Sequence, residues 1–283
     1  MNNSWHTYQG AVLWNESPLA VPPSFEEAKS ALKAHNAFLA RWTSDFDCEQ
    51  STPWWYCICD HFTPINELTA KQRYRVKKGL DNCNVQRITN ESLTHNVKDI
   101  AQVLIDSFMD YPAKYRPDLS IDKWIAEVRS KLNNPEIDVW LASDKQKGEL
   151  IGYGYCTKKD DIVYLNQVKV PTKYLAKEVN AAFAYTLCEY YLQQPDYRMI
   201  IDGERNIKHE TKYQDFLVRV INFRYAYCRL NIVYSPLMKC AVYTLYPFRR
   251  LFELIGKKSA LFYNVYCILK QEEIRRSFNE KNK

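Results

Sequence analysis

Glycine is scarce in this 283-residue chain, at seven residues, and no G-x-G-x-x-G or Walker-type loop occurs. That removes the usual dinucleotide and nucleoside-triphosphate sites, which hold phosphates on bare amides at a helix N-terminus. No apolar run is long enough for a membrane-spanning helix: the most apolar tail segment, Ala260 to Leu269, is short and interrupted by Asn264. The N-terminus, MNNSWHTYQG, lacks the basic-then-apolar plan of a secretory signal, so a cytoplasmic location is expected. The nine cysteines are odd in number and sit mostly in apolar runs (Cys57, Cys59, Cys156, Cys188, Cys228, Cys267), which argues for reduced core thiols over a disulfide framework. Cys57 and Cys59 have no second pair at ligand spacing, so no metal site is expected.

What is present is the composition of a folded protein: 46% hydrophobic, 25% charged, with 21 tyrosines. The net charge of +6 is uneven. Residues 229–283 hold eleven Lys/Arg against four Asp/Glu, while the other 228 residues are nearly balanced. A basic tail favours polyanions or an anionic membrane surface, and equally suits a solvated helical face. Tyr243, Tyr246, Phe248 and Phe252 interleave there with Arg249, Arg250, Lys257 and Lys258, which fits peripheral contact with the inner face of a membrane. Packing onto the domain, or a homodimer contact, is the plainer account.

Periodicity gives the elements. Residues 1–23 read as irregular, broken by Pro18, Pro22 and Pro23. Ser24-Phe25-Glu26-Glu27 is a capping box that starts a helix. Strands follow over 37–42 and 54–59, where Trp42, Trp54, Trp55 and Tyr56 suit core packing better than a carbohydrate platform. Residues 68–80 form a helix carrying Lys71, Arg73, Arg75, Lys77 and Lys78, stopped near Gly79, with a strand over 84–88. From Asn96 come two helices (96–111 and 121–132) and three strands (137–142, 150–157, 162–170). A long helix over 174–192 follows. The stretch RMIIDGERNIKHETKYQDFLVRVINFRYAYCRLNIVY, 198–234, then gives strand, charged loop, helix and strand. Two amphipathic helices, about 237–254 and 259–276, close the chain.

That order from Asn96 resembles the GNAT acyltransferase fold over roughly residues 90–235. The resemblance implies a mixed α+β class: a twisted sheet flanked by helices, with the strand 162–170 splaying from 199–201 around an acyl donor. The turn Lys169-Val170-Pro171-Thr172-Lys173-Tyr174 departs from the family's Gln/Arg-x-x-Gly-x-Gly/Ala motif. It has no glycine, and Pro171 has no amide hydrogen, which puts the usual coenzyme A mode in question. The Fem-type aminoacyltransferases, which build peptidoglycan cross-bridges from aminoacyl-tRNA, share the fold without that motif. Arg73-Tyr74-Arg75-Val76-Lys77-Lys78-Gly79-Leu80, running into Asn84-Val85-Gln86-Arg87-Ile88, is similar to the junction between their two halves. The domains implied are a truncated N-terminal half (1–88), a GNAT-like domain (89–235) and a basic helical extension (236–283).

Acyl transfer to an amine or hydroxyl needs a base for the nucleophile and donors for the oxyanion. His209 is the one histidine in the central loop, and with Glu204, Asp202, Thr211 and Gln214 it forms the first-choice constellation. Thr211 is also placed to cap the following helix, and His209 to brace the loop. Tyr164 and Asn166 alternate on the third strand toward the cleft, with Gln167 opposite. Tyr227 is a candidate acid for the leaving group, a role the resemblance implies, or a core residue. Lys169, Lys173 and Lys177 are candidates for binding donor phosphate directly, or form a solvated helix edge. The expected activity is transfer from acyl-CoA or aminoacyl-tRNA to a cell-envelope or glycan precursor. The alternative is a non-catalytic GNAT-like module that binds a glycan, a nucleic acid or a protein.

Overall fold

The computed structural model describes residues 4–89, 97–111, 116–207, 212–256 and 259–280. Its strands are β1 (Trp5–Tyr8), β2 (Ala11–Trp14), β3 (Leu39–Ser44), β4 (Trp55–Cys59), β5 (Cys83–Ile88), β6 (Ile137–Asp144), β7 (Leu150–Lys159), β8 (Ile162–Lys169), β9 (Met199–Glu204), β10 (Arg224–Tyr227) and β11 (Arg229–Tyr234). The helices are α1 (Phe25–Ala34), α2 (Ala70–Asn82), α3 (Val97–Met109), α4 (Ile121–Leu132), α5 (Val179–Leu192), α6 (Tyr213–Ile221), α7 (Pro236–Leu245), α8 (Arg249–Gly256) and α9 (Ala260–Glu280). Two compact units interleave along the chain. One comprises Met1–Tyr56, Glu204–Thr211 and Tyr225–Lys283, the other Cys57–Gly203 and Lys212–Arg224.

The first unit is built on a sheet in the order β1-β2-β3-β11, with β2 and β3 parallel and the other pairs antiparallel. Alternation along β3 and β11 sorts its two faces. Ala40 and Trp42 pack with Ala28 and Leu32 of α1, whereas Leu39, Leu230 and Ile232 pack with Cys267 and Ile274 of α9. The capping box forms as expected: Ser24 Oγ accepts from Glu27 N, and Glu27 accepts from Ser24 N at 2.7 Å. The hairpin β1–β2 corrects the irregular reading of residues 1–23. Gln9 and Gly10 both adopt positive φ (50° and 80°), the geometry of a two-residue turn that follows strand twist. Trp5, Trp14 and Trp42 then cluster edge to face on the α1 side. Pro247 divides the first of the two expected tail helices. Its missing amide hydrogen leaves a 3₁₀ turn, Tyr246–Phe248, between α7 and α8.

In the second unit the strands lie in the order β4-β9-β8-β7-β6-β5, antiparallel from β5 to β8 and parallel between β8 and β9. This is the mixed sheet that the element order implies. Helices α3 and α4 cover one face, where Ile100, Leu104, Phe108, Trp124 and Val128 pack on Val139, Leu141 and Tyr153. Trp140, on the opposite face of β6, meets Tyr191 of α5.

Two expectations change here. Gly79 does not stop α2, which runs on to Asn82. Instead it lets α2 cross the first turn of α5, where an added Cβ would meet Glu178 O at 2.5 Å and Ala182 N at 3.0 Å. The helix expected from Tyr174 is broken: Thr172–Lys177 is a 3₁₀ turn, and Glu178 at φ 59° starts α5 afresh. Gly79→Ala is therefore expected to cost about 1–3 kcal/mol of overpacking. Alanine's better helix propensity, worth up to about 1 kcal/mol, offsets only part of that. A urea midpoint equal to or above that of the parent would show that α2 and α5 can separate.

Candidate functional site

The pairing of β8 with β9 ends at Tyr164↔Ile201, and beyond it the two strands part. β8 also carries a bulge against β7. Cys156 faces Leu165 and Tyr155 faces Gln167, so Asn166 is the extra residue. Bulges of this kind re-aim side chains and recur beside active sites. Tyr164 pairs with Thr157 and Gln167 with Tyr155, two positions apart on β7, so the bulge brings Gln167 onto the face of Tyr164. Asn166, expected toward the cleft, is exposed instead and accepts from Thr157 Oγ1 at 2.8 Å. The Gln167 Oε1 atom is buried without a hydrogen-bond partner.

On the other face of β9 stands Asp202. Burial pushes its carboxyl up to about 7 from the ordinary 3.8, opposed only by a hydrogen bond from Gln214 on the first turn of α6. Gln214 also donates to Gly203 O at 3.4 Å. Next to it, the Tyr213 hydroxyl is buried and makes no hydrogen bond. Its pKa is driven well above the ordinary value by burial and, next, by the nearby Asp202. Cys57 of β4 belongs to the same enclosure, its thiol raised by burial and then by Asp202. All nine cysteines are free and seven are buried. Tyr213 is thus a site residue that the sequence pattern did not single out, whereas Gln167 lies on the opposite face of the sheet from Asp202. Tyr213 lies directly before a residue that was chosen, while the face that Gln167 takes is concealed by the bulge.

The candidate phosphate-binding lysines all have partners. Lys169 reaches Tyr111 Oη at 2.8 Å, with its ammonium over the Phe108 and Tyr111 rings. Lys173 is exposed, 3.9 Å from Asp106. Lys177 is paired with the buried Asp144, whose carboxyl is lowered mainly by that hydrogen bond. The α5 N-terminus itself carries the Glu178 carboxylate, ion-paired with Arg75 at 2.7 Å.

The remaining candidates fall elsewhere. His209 and Thr211 lie outside the described residues. Glu204 belongs to the first unit, where its carboxylate accepts from Arg41 Nη2 at 2.5 Å and Trp54 Nε1 at 3.1 Å. Tyr227, on β10, is half-buried, and its backbone carbonyl accepts from Cys48 N. Among the described residues no group of three or more His, Cys, Asp or Glu could hold a metal. Among the same residues no helix is long and apolar enough to cross a membrane.

No family model and no curated protein sequence matches the chain. Solved structures similar to it in chain path include FemX, at 10% identity over 71% of this chain and 73% of that one, with a TM-score of 0.48. The structure of L-PGS from Bacillus licheniformis is 10% identical over 82% and 79%, with a TM-score of 0.47. A tandem GNAT protein from the clavulanic acid biosynthesis pathway is 11% identical over 80% and 76%, with a TM-score of 0.43.

Proposed function

We propose that this protein is an acyltransferase in which Asp202 is the general base. The observation that carries the reading is a half-buried carboxyl on β9 just where two parallel strands part, beside a buried tyrosine hydroxyl without a partner; burial pushes that carboxyl up to about 7. A base is most effective when its pKa lies near the working pH, and burial has brought Asp202 there. Asp202 takes the proton from an amine or hydroxyl as that nucleophile attacks the acyl carbonyl. When the bond from the carbonyl carbon to the donor breaks, Asp202 gives the proton it has collected to the departing oxygen or sulfur, which restores the carboxylate. The Tyr213 hydroxyl, kept protonated by burial and without another partner, is a hydrogen-bond donor for the charge that develops. Gln214 orients the carboxylate.

The acceptor in this proposal is an amine or hydroxyl of a cell-envelope or polysaccharide precursor. Between the two donor classes, the packing favours aminoacyl-tRNA over acyl-CoA. The turn before α5 has no glycine, Gly79 of α2 sits against the first turn of α5, and Glu178 brings a negative charge to it. A pyrophosphate seated at that helix N-terminus would meet both obstacles.

Melting temperature measured in parallel with acetyl-coenzyme A, acyl carrier protein and charged tRNA tests the donor. The expected result is stabilisation by charged tRNA and none by acetyl-coenzyme A. If no donor shifts the melting temperature, the transferase reading fails. With an active donor, the rate should rise with pH through an apparent pKa near 7 and level off above it.

A further inference from the structure

The first unit contains a cavity of about 600 Å³, within the size range of small-molecule sites. Arg41 is its polar centre. The guanidinium donates from Nη1 to Gln271 Oε1 at 3.1 Å and from Nη2 to Glu204 Oε1 at 2.5 Å, and it lies 5.5 Å from the centre of the Trp54 ring. The Trp54 indole, almost wholly buried, donates to the other Glu204 oxygen. The ion pair is therefore braced on both members before any ligand arrives. Asn264, one helical turn before Cys267 on α9, adds an exposed amide to the lining.

This wall selects by charge. Arg41 and Glu204 cancel, while Arg205, the other charged residue of the lining, gives its guanidinium to Pro53 O at 2.6 Å and to the Trp55 ring at 4.6 Å, neither of which lines the cavity. An anion therefore meets the Glu204 carboxylate and a cation meets the Arg41 guanidinium. A zwitterion would have to part a braced ion pair, losing charge-assisted hydrogen bonds. Hydroxyl groups face no such obstacle, because each both donates and accepts. They can use the second lone pair on each Glu204 oxygen together with the amide of Asn264.

The rim supplies the complementary apolar surface. Tyr8 and Phe38 are 56% and 62% exposed. Phe38 is nonetheless held firmly: its N donates to Gly10 O at 2.8 Å, its O accepts from Ser235 N at 2.9 Å, and its ring lies against Gly10. An aromatic ring fixed by its backbone yet left open to solvent is a stacking platform, and sugar rings present C–H faces to such surfaces. We infer that this cavity is a binding site for a neutral, hydroxyl-rich ligand of mono- to disaccharide size, held by the Arg41–Glu204 pair and stacked on Phe38.

The inference is independent of the transfer reading. Its assay contains no acyl donor, so either can fail without the other. Ligand-observed NMR on the full chain, with N-acetylglucosamine and glucose as neutral probes, alanine as a zwitterion and glucose 6-phosphate as an anion, provides the test. The expected result is binding of at least one neutral sugar in preference to the charged probes, weakened threefold or more by Phe38→Ala with the circular dichroism spectrum unchanged. Should Phe38→Ala lose its fold, Asn264→Ala, at another exposed position, carries the same threshold. Absence of sugar binding, tighter binding of alanine or glucose 6-phosphate, or a loss smaller than threefold would overturn the assignment.

Discussion

Asp202→Asn is expected to give a protein that is more stable at pH 8 and that no longer transfers. The folded carboxyl has its pKa at about 7, against an ordinary 3.8, because burial penalises the charge. The direction of the pH effect follows from that sign. Below pH 3.8 the group is protonated whether the chain is folded or not, so asparagine changes little. Between 3.8 and 7 the unfolded chain releases the proton first, and the parent loses stability relative to the variant as pH rises. Above 7 the gap is constant. A displacement of about three pKa units corresponds to roughly 4 kcal/mol at most, and local relaxation makes about 2–4 kcal/mol the reasonable range.

Urea denaturation at pH 4, 5.5 and 8 reads this directly. A parent that keeps pace with the variant from pH 4 to pH 8 would mean that the carboxyl is not enclosed. The rate should fall about 10²–10⁴-fold, the usual worth of a general base. Unchanged turnover in Asp202→Asn would remove Asp202 from the mechanism even if the stability effect were found. Such opposed effects are what a site maintained against its own desolvation cost should show.

Asp202 was visible in the sequence as the residue closing an apolar run, and its neighbour Gln214 as part of a polar loop. Their depth was not. Periodicity reports which residues face inward, but the pKa of a carboxyl depends on what lies over it, and α6 arrives from eleven residues further on. The three antiparallel strands and the parallel partner were legible because their apolar runs are bounded by clear turns, such as Asp160 at φ 55° and Gly148 at φ 68°. Asn166 and Gln167 were harder, since one bulged residue reverses the alternation without leaving a mark in the pattern. Gly79 resembles a helix stop by residue type alone. Its contact with Glu178 and Ala182, about a hundred residues distant, gives it a different role. Reading along the chain also yields consecutive domains, whereas the compact units interleave through the returns at Glu204 and Tyr225.

The second large effect is expected from a residue with no part in the proposed chemistry. Glu272 of α9 is completely buried, and its carboxylate accepts from Arg275 Nε and Nη2, both at 2.8 Å, from Arg276 Nε at 2.7 Å and from Tyr234 Oη at 3.1 Å. Burial alone would raise its pKa, but the hydrogen bonds from Arg275 and Arg276 outweigh it and hold the group below the ordinary 4.5. Arg276 in turn lies over the Tyr246 ring at 3.9 Å and the Tyr243 ring at 5.0 Å, so one carboxylate ties α9 to β11 and to the segment that follows α7. Glu272→Gln removes the charge while leaving the arginines in place. Breaking one side of a buried pair strands the other, and about 3 kcal/mol is expected, at the low end of such losses because both arginines retain some access to water. Because the folded pKa is lowered, the contribution of Glu272 is present above the unfolded value and disappears as pH falls through the folded one. The gap between parent and variant in urea denaturation should therefore be full at pH 7 and close progressively below about pH 4.5. A gap that persists undiminished at pH 3, or a variant as stable as the parent at pH 7, would mean that packing rather than charge fixes α9 to the sheet.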